Sequence, residues 1–302
     1  MVLNSLNIGI IGLGAMGTLW ASRLAPYHNL YALPRYVNNK EVLNRKLIHL
    51  DSTEENLELT IWNSDSPQLD IILVCTKASA TVAAITQWQS SMSPQCQIIL
   101  MQNGMGQHEQ VCQQFPTQSV FAASTTEGAF KPSETMIVHA GSGQTTWGAV
   151  ENTSNSTALT LDLSTIAGKQ ILTNDIHQIL LDKLAINAVI NPLTVYHDCK
   201  NGELVNELAY HQNLVNLANE VEQFLEKKGK TLSFCLAEKA TEVATLTGNN
   251  TSSMRQDVLA KRQTEIDYIS GYLLELATSS EQKTLLPMTS KYYEYVTSLD
   301  IN

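Results

Sequence analysis

With 302 residues, 43% of them hydrophobic and 16% charged, the chain has the composition of a globular protein with room for about two domains. Its formal net charge of −10 argues against a general nucleic-acid or anionic-membrane binder, which draws on a basic surface, but permits a small anionic ligand held by local donors. The five cysteines, Cys75, Cys96, Cys112, Cys199 and Cys235, are odd in number and never form a close pair, and the seven histidines are scattered. Neither a disulfide framework nor a metal site is expected. With no basic leader and no run of about 18 apolar residues, the pattern predicts a protein of the reducing cytoplasm.

Residues 7–24, NIGIIGLGAMGTLWASRL, begin as an apolar strand, pass through a glycine-rich turn and continue as a helix with Leu19, Trp20 and Leu24 at helical spacing. The turn, Gly12-Leu13-Gly14-Ala15-Met16-Gly17, fits GxGxxG in the strand-turn-helix context that a dinucleotide site requires. Gly12 would permit the tight turn, Gly14 the approach of a pyrophosphate, and Gly17 close packing of helix on strand. The phosphates would then lie on the helix N-terminus, where free N–H groups and the dipole favour anions. A glycine-rich turn that serves packing alone is the alternative.

A second strand is expected at 29–33, followed by Pro34 and Arg35. An NAD site usually places Asp or Glu at this point for the ribose 2′-hydroxyl, whereas Arg suits a 2′-phosphate; the position reads as NADP, or else as a solvated loop. Strands are also expected at 70–76 and 97–102, apolar enough for a parallel sheet covered on both faces, with Lys77 and Asn103-Gly104-Met105-Gly106 at their C-terminal ends. Ligands bind at that edge in open α/β sheets, although polar residues commonly end strands anyway. Three strand-like segments within 119–150 suggest an antiparallel extension of the sheet, and 151–157, ENTSNST, reads as a surface loop.

Beyond residue 172 helical periodicity dominates, through 175–193, 203–230, 233–247, 253–279 and 287–298. Within the first of these, KLAINAVIN at 183–191 is apolar except for Lys183, Asn187 and Asn191, whose spacings of four and eight align them on one helix face. A polar stripe on an otherwise buried helix needs partners or a polar cavity, so it is either a water-facing stripe or an active-site wall. Pro192 should end or kink this helix. Ser253 with Gln256 fits a capping box at the start of the helix from 253, and such a serine-rich N-terminus can receive a carboxylate. Glu265, in TEIDYI, sits among apolar residues and is open to reading as surface.

Taken together, GLGAMG at 12–17, NGMG at 103–106, KLAINAVINPLT at 183–194, NGEL at 201–204, SSM at 252–254 and TEIDYI at 264–269 resemble the ketopantoate (2-dehydropantoate) reductases over nearly the whole chain. The resemblance implies an α/β fold, with an N-terminal Rossmann-like NADP-binding domain (1–171) and an all-helical substrate domain (172–302). It further implies NADPH-dependent reduction of a small 2-oxo acid by a monomer or homodimer with no nucleic-acid or membrane partner. Lys183 would be the general acid and Glu265 the carboxylate beside it and the nicotinamide ribose. Asn187, Asn191, Asn201, Ser252 and Ser253 would hold the substrate, and Asn103 would touch both substrate and cofactor. Arg35 and Lys77 would face the NADP phosphates, and a further cofactor contact falls on Ala129, although Glu127-Gly128-Ala129 departs from the family pattern. A related 2-oxo-acid or β-hydroxyacid reductase shares the Lys-x-x-x-Asn helix; a non-catalytic NADPH sensor would lack the Lys183 and Glu265 pair, which is present.

Overall fold

A computed structural model describes residues 5–36, 41–150 and 157–299. They group into two compact units, one from the chain up to Gln102 together with Gln107–Ile176, the other from Asn103–Gly106 together with His177 onward. Of the loop expected at 151–157, only Thr157 lies within the described residues.

The first unit runs β1 (Asn7–Ile11), α1 (Ala15–Leu24), β2 (Asn29–Leu33), β3 (Val42–Ile48), β4 (Glu54–Ile61), β5 (Leu69–Val74), α2 (Thr81–Gln87), β6 (Met92–Leu100), α3 (Gln107–Gln114), β7 (Val120–Thr125), β8 (Gly128–Phe130), β9 (Met136–Gly141), β10 (Gln144–Ala149) and β11 (Lys169–Leu172). The strands form one sheet in the order β11-β10-β7-β6-β5-β1-β2-β4-β3-β9-β8. Its centre is parallel, with Ile11 opposite both Leu33 and Val74, and Val74 opposite Leu100, so the C-terminal ends of β1, β2, β5 and β6 share an edge. Ile8, Ile10, Ile71, Ile72, Leu73, Ile98 and Ile99 are buried because both faces of these strands are covered.

The segments of 119–150 differ from the antiparallel extension expected. β7 adds parallel to β6, and only then does β10 run antiparallel to it. The β8–β9 hairpin goes to the opposite edge, where β9 pairs parallel with β3. The antiparallel β3–β4 hairpin is a further addition; its strands escape a search for apolar runs because β4 alternates, burying Leu57, Leu59 and Ile61 between exposed Asn56, Glu58 and Thr60. β8 and β9 pack against α1, while Trp20 of α1 meets Trp147 of β10 edge-on at 5.0 Å, so the sheet curls around this helix from both sides.

The second unit is helical: α4 (Ile176–Tyr196), α5 (Glu203–Asn206), α6 (Leu208–Lys227), α7 (Leu236–Leu246), α8 (Ser253–Leu259), a π-helical turn (Asp267–Gly271), α9 (Tyr272–Glu275), α10 (Ser279–Leu285) and α11 (Pro287–Leu299). α4 is long and apolar enough by composition to cross a membrane, yet most of that stretch is buried inside the protein, as in a core helix. Pro192 does not end it. The proline forfeits one backbone hydrogen bond, and burial of Leu193, Thr194 and Val195 carries the helix one turn further. The single helix expected over 253–279 is likewise broken. α8 stops at Leu259 because residues 259–263 have no apolar face to bury; Lys261 adopts φ 52°, and Arg262 folds back onto the Asp257 carbonyl at 2.8 Å.

Candidate active site

In the first unit the glycine-rich turn has three differently constrained glycines. Gly12 adopts φ 87°, and a Cβ there would lie 2.7 Å from the backbone of Cys75 and Thr76. A Cβ on Gly17 would collide with the Gly12 carbonyl. At Gly14, by contrast, a Cβ would meet no protein atom within 4 Å, so the open space beside it is available to a ligand. Gly14 is the N-cap of α1 and supplies no side chain to the first-turn amides, which suits a pyrophosphate resting there beside Leu13, Ala15 and Met16. This turn fits a dinucleotide.

Arg35 follows β2 and Lys77 follows β5, both on the edge where β1 delivers the turn. Arg35 is exposed, its guanidinium over the Tyr36 ring, while its carbonyl accepts a hydrogen bond from Gln87. Ala129 lies on edge strand β8, opposite His139. The departure at Glu127 has a structural reason. Its carboxylate is buried, paired with Arg23 at 2.8 Å and with His139 at 2.7 Å, tying α1 to β9. One residue the sequence did not flag is Arg45 of β3, whose Nε donates to the Leu13 carbonyl at 3.0 Å and braces the glycine-rich turn. It belongs to the hairpin that apolar periodicity does not reveal.

In the second unit the polar stripe of α4 behaves as a graded face. Lys183 and Asn187 are half-buried and Asn191 is buried, whereas Leu184, Ala185, Ala188 and Val189 on the other faces are fully enclosed. Loop 103–106 belongs to this unit and docks on the segment after α8. Met105 N–H donates to the Tyr268 carbonyl at 2.9 Å, and Asn103 Nδ2 approaches Glu265 Oε2 at 3.5 Å. Gly104, at φ 85°, fits because a Cβ would strike that same carbonyl.

Asn201 is held with a fixed amide orientation. Thr247 Oγ1 donates to the Val243 carbonyl, so it accepts from Asn201 Nδ2 at 2.9 Å, leaving Asn201 Oδ1 as a buried acceptor without a protein donor. Such an atom is suited to a ligand hydroxyl. At the start of α8 the cap is one residue earlier than expected: Ser252, not Ser253, accepts from the Arg255 N–H at 3.1 Å, while Ser253 is exposed.

The electrostatics centre on Lys183. Protein atoms crowd its ammonium although part of the side chain meets solvent, and burial pushes it down from 10.5 to about 8; the Glu265 carboxylate pulls the other way. A lysine so poised exchanges its proton near neutral pH.

A glycine-rich turn with room for a pyrophosphate in one unit, and in the other a lysine whose pKa is held at about 8 beside a carboxylate, fit the plan of a dinucleotide-dependent oxidoreductase. Residues 8–152 match the family model described as ketopantoate reductase PanE/ApbA, and residues 175–296 match the C-terminal model of that family. The 2-dehydropantoate 2-reductase of Yersinia pestis is 32% identical, over 96% of this chain and 94% of that one. A solved structure described as a probable 2-dehydropantoate 2-reductase from Bacillus subtilis is 27% identical with a TM-score of 0.76, covering 97% of this chain and 100% of that one. D-mandelate dehydrogenase, solved with NADH and anilino(oxo)acetate, shares the fold at a TM-score of 0.84 and 21% identity, covering 98% of both chains. The chain belongs to the ketopantoate reductase family.

Proposed function

We propose that the protein reduces 2-dehydropantoate to (R)-pantoate with NADPH, a step toward pantothenate and coenzyme A, in the cytoplasm as a monomer or homodimer. The observation that carries this reading is Lys183, whose ammonium is lowered to about 8 by burial and kept from falling further by Glu265. When bound, the nicotinamide supplies hydride to the ketone carbon. Reduction then leaves negative charge on oxygen, which the Lys183 ammonium stabilises and protonates. Glu265 keeps Lys183 charged and aimed, and Asn103 steadies Glu265. Asn187, Asn191, Asn201 and Ser253 hold the hydroxyl and carboxylate groups of the substrate, Asn201 through its unpaired Oδ1. Arg35 and Lys77 favour the 2′-phosphate of NADPH over the bare ribose of NADH.

The test adds 2-dehydropantoate and NADPH to purified protein and follows loss of reduced-nicotinamide absorbance, with NADH in parallel. Turnover, faster with NADPH, is the expected result. Turnover only with another 2-oxo acid overturns the substrate assignment; NADPH binding without turnover of any 2-oxo acid points to a sensor.

A further inference from the structure

Thr194, in the last turn of α4, is fully buried, and its hydroxyl lies between two elements of the proposed substrate site. Oγ1 is 2.8 Å from the Asn191 carbonyl and 2.6 Å from Ser252 Oγ at the N-cap of α8. A carbonyl only accepts, so Thr194 spends its single proton on Asn191. Thr194 can therefore only accept from Ser252, whose proton is committed in turn, while Ser252 Oγ accepts the Arg255 N–H at 3.1 Å. The direction of the whole chain is thereby fixed: Arg255 N–H to Ser252, Ser252 to Thr194, Thr194 to the Asn191 carbonyl.

Two consequences follow. Ser252, its proton used and its side chain buried, has no donor left to offer a substrate. And Asn191, the last amide of the polar stripe, is fastened by its backbone to the start of α8, one residue from Ser253. A second link, between Arg255 and Asp198 at 2.9 Å, ties α8 to the turn just after α4 but is largely exposed on the Asp198 side and holds less firmly.

We infer that Thr194 is a positioning residue for substrate recognition: through a directed hydroxyl relay it sets the spacing between Asn191 and Ser253, and Ser252 acts within that relay rather than on the substrate. The substrate half of this inference rests on the reductase reading above; the relay itself does not.

Thr194→Val preserves shape and removes the hydroxyl, and Thr194→Ser restores it. The KM for 2-dehydropantoate should rise at least about fivefold in Thr194→Val, the lower end of what an unpaired buried polar group costs. Over the same change kcat falls less than KM rises, NADPH affinity is retained, and Thr194→Ser returns KM toward that of the parent. Ser252→Ala should raise KM to the same degree, and the double variant no further, because both break one chain. Amide hydrogen exchange at Arg255 gives a reading independent of activity: protection falls in Thr194→Val and persists in Thr194→Ser. An unchanged KM in Thr194→Val, a Ser252→Ala defect that adds to it, or undiminished protection at Arg255 overturns the relay. Inactivity of the parent protein toward 2-dehydropantoate overturns the reductase reading instead, and the exchange experiment still decides the relay.

Discussion

Lys183 owes its chemistry to the apolar helix that carries it. Burial desolvates its ammonium and pushes it down to about 8, and the Glu265 carboxylate opposes that loss. As a general acid it must be protonated, so kcat/KM should be level at lower pH and fall as pH rises through about 8. Glu265→Gln removes the group that raises Lys183, and the alkaline limb of the pH profile should move to lower pH; an unmoved limb disconnects the two residues. Lys183→Ala should lower kcat by at least about 10²-fold, the lower end of the general-acid contribution, while NADPH still quenches protein fluorescence on binding. Much of this was legible in sequence, because a lysine and two asparagines at spacings of four mark one helix face whatever surrounds them. The unpaired Oδ1 of Asn201 was not: it depends on which way Thr247 spends its proton, and Thr247 lies 46 residues away.

Elements were readable where one local rule governed them and misread where a distant contact decided. The glycine-rich turn follows from strand, turn and helix in a single stretch. The cap of α8 did not, since SSM offers two serines and the choice of Ser252 is made by Thr194, 58 residues earlier in the chain. Loop 103–106 is a similar case: its place at a strand end was legible, but the need for glycine at 104 comes from the distant carbonyl of Tyr268. Gly104→Ala should therefore destabilise the protein by about 2 kcal/mol, combining left-handed strain with the clash, and depress kcat because Asn103 loses its place beside Glu265. Thermal unfolding and steady-state kinetics on one preparation check both; a variant with unchanged melting temperature and kcat removes the loop from this role.

At the scale of the molecule, the broad plan of a sheet followed by helices was visible in the switch of periodicity, while the sheet's true width was not, because β4 alternates, β8 and β11 are short, and β9 joins the sheet by pairing with β3, far earlier in the chain. What closes that wide sheet around α1 is partly ionic. Burial would raise the Glu127 carboxyl, but hydrogen bonds from Arg23 and His139, the Arg23 charge and the Gly143 amide together bring it below the usual carboxylate value. A carboxyl lowered on folding contributes stability above its unfolded pKa and loses it as pH falls through the lower folded value. Glu127→Gln should cost about 3 kcal/mol at neutral pH by leaving Arg23 without its buried partner, and should flatten the loss of melting temperature on acidification; parallel acid profiles for both proteins contradict the assignment.

The four residues 103–106 also bear on how such a gene can be recombined. They are encoded within the sheet-forming half yet complete the helical one, so a chimera joined near residue 176 pairs one parent's Asn103–Gly106 with another parent's Tyr268 and Glu265. Productive exchange between relatives should require the two short segments to be inherited together, a linkage that the order of the gene conceals.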